Sequence, residues 1–524
     1  MTPPTVHPRS DIIRSAVLSC LIILIAGGMA LVVLSDRDLK EAFILPRVAA
    51  EIDHAYPEPV DWEKAASAGR ESMYDMLDRF SFYVEPRQLR QLDEEMSGGY
   101  GGIGVSVIRH DLGLLVMSVR ENGPAAAAGV LTGDLIFSAD TVMLAGIDQD
   151  KASSLLRGVD GSRVKLGLLR NDHLDTLHIE VTRKRIQFQH VPYAGFTPDT
   201  VMYVRLADFD AGAAKELEHA LDSLLAIAGM TPHGLILDLR GNPGGLFWEA
   251  YHTANLFLNK GQFIVGTEAR SRWQEEKHFA TGPDHLKGLP MTVLVDRGSA
   301  SSSEIVAGAL RQLGRASLVG DTTFGKGLVQ GYTRFPDGSG SRLTISRYFL
   351  EGGLFLNRFD STLSDTGNGL VPDHVIPLPE NEPYLRNLES SLLLQRFASA
   401  FQDLIIGDST PFMHTYAWLD SLKRMAETDQ FSARTPLVLS AEQLVSVARS
   451  DKSSPALSRV ADRIAALARF DELNQLDTHQ DYIRMRVRKL AYERKFGLTR
   501  SYTDVIVRER PDIRFAASLV RGKS

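Results

Sequence analysis

Four hydroxyls crowd into five positions at Ser299, Ser301, Ser302 and Ser303, followed at once by Glu304. A serine oxygen is a weak nucleophile until a neighbouring base takes its proton. A serine that opens a helix also meets free N–H groups and a positive dipole end, which suit a developing oxyanion. Acyl transfer is the chemistry this cluster could perform. The spacing Ser301-x-x-Glu304 is equally that of a capping box, in which both side chains merely satisfy backbone amides, although four serines exceed what a cap needs. A lysine can serve as the base, because burial favours its neutral form. Lys326 sits in the apolar, glycine-flanked stretch Phe324-Gly-Lys-Gly-Leu-Val329. Standing alone, that stretch would read as a turn with a snorkelling surface lysine. A Ser–His pair also stays open, with His233 and His252 flanking LDLRGNPGG, though the Gly-x-Ser-x-Gly elbow does not occur.

The elements that must position these residues lie between 187 and 378. There VMYVRLADF, HGLILDLRG, MTVLVDRGS and RASLVGDT read as strands, while AGAAKELEHALDSLLAIAG and SSEIVAGALRQLG read as helices. Such alternation predicts a mixed α/β sheet with crossover connections. Ligand crevices in these sheets lie beyond the carboxyl ends of the strands, where LDLRGNPGG and VDRGSASSSE both begin. Residues 98–186 alternate short β-like runs with glycine turns and close on the hairpin VKLGLLRNDHLDTLHIEVTRKRI, so a β-rich module is expected. Residues 37–97 read as helical. Residues 379–524 read as amphipathic helices broken by polar loops, without a fixed repeat.

Two glycine patterns mislead. Gly99-x-Gly101-x-x-Gly104 runs into a strand, whereas a dinucleotide loop must open a helix. Gly320-x-x-x-x-Gly325-Lys326 is followed by Gly327 where a phosphate loop needs a hydroxyl for Mg²⁺.

The chain has 524 residues and a formal net charge of -7, which gives no reason to expect nucleic acid as a partner. Its basic stretch, Arg484, Arg486, Arg488, Lys489, Arg494 and Lys495, reads as a solvated helix face. The single cysteine, Cys20, excludes a disulfide framework and a thiolate metal site. From Ser15 to Ser35 no residue is charged, long enough to span a bilayer. Arg9 and Arg14 before it predict a cytoplasmic N-terminus, with everything after residue 36 outside. A cleaved signal peptide competes with this single-pass anchor.

DLRGNPGG, VDRGSASSSEIVAGAL and LVGDTTFGKGLVQ, in this order and spacing, resemble the carboxy-terminal processing (tail-specific) proteases, Ser–Lys peptidases with an embedded PDZ domain. The resemblance covers about residues 50 to 378. It implies Ser301 as nucleophile, with Lys326, 25 positions later, as base. By the same resemblance Gln330 orients the lysine, and the amide of Ser302 with Gly244 or Gly245 forms the oxyanion hole. Ser302 stands where the family usually has alanine. Gln312 stands where other members have an acid. Arg79 replaces a proline in Leu77-Asp-Arg-Phe-Ser81, and Tyr348-Phe-Leu-Glu-Gly-Gly353 departs from the family's YxTPxG. Tyr100, Gly102, Ile103, Gly104 and Val105 resemble the PDZ carboxylate-binding loop, Gly129–Asp134 its GLxxGD turn, and Arg157 an arginine that couples the PDZ domain to activity. Gly369-Leu-Val-Pro-Asp373 resembles the family's closing GIxPD.

The architecture expected is α/β multidomain. A tail and membrane helix occupy 1–36, a helical segment 37–97, a PDZ-like domain 98–186, a ClpP/crotonase-like protease core 187–378 and a helical domain 379–524. The function expected is endopeptidase cleavage of proteins with exposed C-termini, without metal or cofactor, on the periplasmic side of an inner membrane. An inactive PDZ scaffold and a non-peptidic acyl hydrolase are the competing readings. The C-terminal helices leave a dimer interface, a lid or an adaptor platform open.

Overall fold

The computed structural model describes residues 37–522 apart from 87, 90–98, 171–174, 188, 228–230, 272–274, 357–368, 378, 380, 381, 408–411 and 451–454. The uncharged run Ser15–Ser35 therefore lies outside the described residues. Among the described residues no helix is long and apolar enough to cross a membrane.

The chain divides into two units, Met1–Tyr83 and Val84–Ser524. In the first, helices α1 (Arg37–Ala55) and α2 (Trp62–Asp75) are joined by a short link. Asp61 caps α2 by accepting the Lys64 N–H at 3.1 Å, and Trp62 Nε1 donates to Asp53 at 2.8 Å. The helical expectation for 37–97 stops here, since the aromatic run Phe82–Val84 forms a strand.

The second unit opens with a β module. Strand β1 (Gly99–Gly102) is followed by β2 (Val105–His110), β3 (Gly113–Val119), β4 (Leu135–Ala139), β5 (Arg163–Arg170) and β6 (Asp175–Thr182). The last five form one sheet in the order β2-β3-β4-β5-β6, with β2 at an edge. Strand β7 (Lys184–Gln187) returns antiparallel to β1 and closes the module. Alternate residues of these strands, Leu114, Val116, Ile136, Val164, Leu166 and Leu168 among them, fill the core. The buried Asp134 of the Gly129–Asp134 turn pairs with Arg170 at 2.7 Å. Helix α3 (Gln149–Leu156) flanks the sheet.

Residues 187–378 are built on a second sheet in which β8 (Tyr193–Phe196) runs antiparallel to β9 (Met202–Arg205). Strands β10 (Leu235–Asp238), β11 (Met291–Val295), β12 (Ser317–Gly320) and β13 (His374–Val375) then follow in parallel. Every residue of LILD and MTVLV is buried, as a parallel sheet covered on both faces requires. One face carries α4 (Ala213–Leu225), α5 (Phe247–Asn255) and α6 (Ser302–Gln312). The other is covered by the C-terminal region: Met485, Val505, Ile506, Ile513, Ala516 and Val520 pack against Tyr203, Ile236, Leu294 and Val319. The C-terminal helices thus supply the third layer of the α/β/α sandwich.

A further antiparallel sheet, which includes Phe263–Ala269, Glu276–Phe279, Leu328–Arg334 and Gly340–Leu350, packs Ile264, Val265, Tyr348 and Leu350 into the same core as α5 and α6. The basic stretch is not a solvated face. On the helix Gln480–Phe496, Arg486 pairs with Glu389 at 2.5 Å, Arg488 with Glu509, Lys489 with Glu493, and Arg494 donates to the Thr132 carbonyl. Arg486, Arg488 and Arg494 are partly buried and join this helix to its neighbours, whereas Lys489 bonds Glu493 of the same helix and Lys495 is exposed.

Candidate active site

Strand β11 ends at Val295, and Asp296–Ala300 turn the chain into α6. Asp296 organises the turn: its Oδ1 accepts the N–H groups of Gly298 at 2.9 Å and of Gly241 at 2.8 Å, the latter from the loop after β10. The serines then divide by role. Ser299 donates to the Leu239 carbonyl at 2.8 Å, Ser303 to the Asn242 carbonyl at 2.8 Å and Ser302 to the Gly245 carbonyl at 3.1 Å. All three are buried and stitch the serine turn to the RGNPGG loop. Ser301 alone of the four is partly exposed, and it faces a cleft.

Ser301 has φ 55 and ψ −111, a conformation a non-glycine residue holds only when its surroundings enforce it. The enforcing group is Glu304. Its Oε2 accepts the Ser301 N–H at 2.8 Å and the Lys326 N–H at 2.9 Å, while Oε1 accepts from Thr323 Oγ1 at 2.6 Å and from the Gly325 N–H at 2.7 Å. Burial pushes this carboxyl above its ordinary value, and those four donors pull against the rise. From the opposite side the Tyr348 hydroxyl donates toward the Lys326 carbonyl at 2.6 Å and the Ser301 carbonyl at 3.2 Å. Amide and carbonyl of both residues are therefore gripped by the same two side chains. The capping-box reading of Glu304 was half of its work; its reach to Lys326, and all of Tyr348's, lacked a local signal.

Ser301, Lys326 and Gln330 line one cleft of about 630 Å³ with Gly245 and Ser302. The Gln330 amide donates to Thr344 Oγ1 at 3.4 Å and accepts from Arg342 at 3.1 Å. Phe247, Trp248, Ile305, Leu328 and Ile345 make much of the wall apolar. His278 also lines it, packed among Phe247, Trp248 and Tyr251, its basicity lowered by burial. Neither His233 nor His252 lines the cleft. This aromatic patch escaped the sequence reading, because Phe247 and His278 meet only through the fold.

Asn242 shapes the glycine loop. Its Oδ1 accepts the Gly244 N–H at 2.9 Å and its Nδ2 donates to the Leu206 carbonyl at 3.0 Å. Gly244 has φ +99, and a Cβ there would stand 3.0 Å from the Ser301 Cβ and from the Ser302 nitrogen. Among the described residues the N–H groups of Ser302 and Gly245 have no protein partner. The Gly244 amide, by contrast, is committed to Asn242.

In the β module, Tyr100, Gly104 and Val105 border a groove of about 910 Å³, while Gly102 and Ile103 are buried, Ile103 in the module's core. The Arg157 guanidinium lies 4.8 Å over the Tyr100 ring, a cation–π contact. The edge strand β2 is not wholly open, since Gln149 Oε1 accepts the Arg109 N–H at 3.1 Å.

Behind the glycine loop, the buried Arg240 bonds Asp238 at 2.6 Å and also Asp512, which reaches in from helix Pro511–Gly522. Burial alone would raise the Asp512 carboxyl, but Arg240 and Arg510 hold it at about 2.

Two family descriptions match this chain: Peptidase family S41 over residues 200–365 and PDZ domain over residues 101–181. The carboxy-terminal processing protease CtpA of Bacillus subtilis (strain 168) is 30% identical over 379 residues, covering 71% of this chain and 78% of that protein. The carboxy-terminal-processing protease of Bartonella bacilliformis is 33% identical over 307 residues, covering 58% and 68%. Among solved structures, the photosystem II D1 C-terminal processing protease is 28% identical over 61% of this chain and 84% of that one, with a TM-score of 0.38. A PDZ domain, an S41 core and relatives of this coverage leave one assignment: the chain belongs to the carboxy-terminal processing proteases, serine peptidases of family S41.

Proposed function

We propose that Ser301 and Lys326 form the catalytic dyad of an endopeptidase. The Ser301 hydroxyl attacks the scissile carbonyl while the neutral Lys326 amine takes its proton, then returns it to the leaving amine. The oxyanion forms against the Ser302 and Gly245 amides, which need not first give up a protein partner. Gly244 shapes the turn rather than donating, because its N–H serves Asn242. Gln330 lines the same cleft and orients the lysine. Water then releases the acyl group through the same dyad, without metal or cofactor.

The observation that carries this reading is the double grip of Glu304 and Tyr348 on Ser301 and Lys326, residues otherwise separated by a helix and a strand. The apolar wall around Phe247, Trp248 and Leu328 suits apolar substrate side chains. The PDZ module presents a protein C-terminus to this cleft, with the loop Gly102–Val105 receiving the carboxylate and β2 the peptide strand. The uncharged run Ser15–Ser35 would hold the enzyme in the inner membrane, catalytic body on the periplasmic side.

The test is cleavage of an unfolded protein by wild type, Ser301→Ala and Lys326→Ala. Loss of cleavage in both variants supports the dyad. Cleavage that persists in Ser301→Ala overturns it, and cleavage that persists in Lys326→Ala alone returns the base role to a histidine.

A further inference from the structure

The lining of the cleft divides by exposure. Ile305 and Leu328 are 1% and 6% exposed, whereas Trp248 is 54% exposed and the side chain of Glu276 62%. Trp248 stands in the first turn of α5, and three rings fix it. Phe247 lies at 5.5 Å, Tyr251, one helical turn on, at 5.8 Å, and His278 at 5.1 Å, all nearly perpendicular to the indole at 82° to 84°. The orientation of this open indole is therefore set before any ligand arrives, so a contact to it costs little side-chain entropy.

Glu276 reaches the same corner through the pleat of the antiparallel sheet. Strand Glu276–Phe279 pairs with Phe263–Ala269, Glu276 opposite Thr267. Alternation puts Glu276 and His278 on the cleft side and Lys277 on the other. Glu276 Oε2 lies 3.4 Å from His278 Nε2. Burial lowers the basicity of His278, so its ring is neutral at neutral pH and does not cancel the carboxylate. Among the described residues no lysine or arginine pairs with Glu276 either. Asp210 and Glu249 line the cleft as well, and among the described residues Arg342 is its one permanent cation, since Lys326 is neutral in the proposed dyad. Negative charge is in excess there.

We propose that the corner formed by Trp248 and Glu276 is a subsite for an arginine or lysine side chain of the protein substrate. This deepens the peptidase reading and rests on it. The methylene stem covers the indole and the cationic head lies over the ring beside the carboxylate. Arginine suits the corner better than lysine, because its planar head stacks on an aromatic face and forks onto a carboxylate. An acidic side chain is repelled, and an apolar one leaves the Glu276 charge without a partner. Phe247, Ile305 and Leu328 remain the wall for an apolar side chain next to it.

The experiment is digestion of an unfolded protein by the full chain in mild detergent, with every cut located by mass spectrometry. Paired peptides carrying arginine or norleucine at the position so identified then give a ratio of kcat/KM values. In the wild type, arginine and lysine should be enriched at one position relative to the cut, and the arginine peptide preferred by about ten-fold. Glu276→Gln should bring that ratio close to one, and Glu276→Lys should turn the preference toward a glutamate peptide. Trp248→Ala should lower the ratio by about three-fold and Trp248→Phe by less, since phenylalanine offers a weaker face to a cation. A cleavage map without arginine or lysine enrichment overturns the proposal, and so does an enrichment that survives Glu276→Lys. Enrichment of apolar residues that depends on Trp248 and not on Glu276 would make the corner an apolar subsite and overturn it too. Failure of the dyad reads differently: cleavage then persists in Ser301→Ala, whatever the map shows.

Discussion

Ser301 and Lys326 hang from one oxygen: Glu304 Oε2 accepts the backbone N–H of each, at 2.8 and 2.9 Å. A glutamine there would keep an acceptor but turn N–H donors toward amides that themselves donate. Glu304→Gln should lower kcat by about 100-fold, the effect of displacing reacting groups by about an ångström, with much less change in KM. Steady-state kinetics on a fluorogenic peptide reads this, and a change confined to KM would contradict it.

Tyr348 closes the same frame through carbonyls. Tyr348→Phe removes one shared donor while keeping the buried ring, so the loss of stability should be about 1 kcal/mol. The fall in kcat should be about ten-fold, less than for Glu304→Gln because one shared donor rather than an acceptor of four bonds is disturbed. Denaturant melts beside the kinetics check both numbers.

Gly244→Ala places a methyl 2.8 Å from the Ala300 carbonyl oxygen, at a φ that alanine resists. The loop must shift and take the Gly245 amide with it. A drop in kcat of about 100-fold is expected, while a peptide binds the PDZ module unchanged by fluorescence anisotropy. Undiminished turnover would mean that the loop does not hold the oxyanion.

Asp512 ties the C-terminal layer to the glycine loop through Arg240. Its carboxyl stands at about 2, below its ordinary 3.8, and Asp238 is held well below its own. Both folded values lie under the unfolded ones. The stability they contribute is therefore complete above about pH 4 and drains away as acid carries the pH toward 2. Asp512→Asn should cost about 3 kcal/mol at neutral pH by leaving Arg240 short of a partner, and its melting temperature should fall less steeply than the wild type's between about pH 4 and 2.5. Parallel slopes would remove Asp512 from this role.

What could be read in advance was local. LILD and MTVLV announce strands by short, largely apolar runs, and the serine turn announces itself by crowding. Arrangements that depend on distant partners could not be read. Glu304 grips an amide 22 positions away and Tyr348 a carbonyl 47 positions back. The basic helix looked solvated because its partners, Glu389 and Glu509, lie in other helices. Nor does any periodicity say that Val505, Ile506 and Ile513 cover the far side of the sheet, since that packing runs through a π-helical turn at Tyr502–Ile506.

The central claim is that the Ser301 oxygen carries the acyl group. Rapid quenching of the enzyme with an activated peptide ester, followed by intact-mass measurement and peptide mapping, tests it directly. An adduct of the acyl mass on the Ser299–Lys326 peptide, localised to Ser301, absent from Ser301→Ala and slow to form in Lys326→Ala, is the predicted result. An adduct on another residue, or one that forms undiminished in Ser301→Ala, would contradict the account.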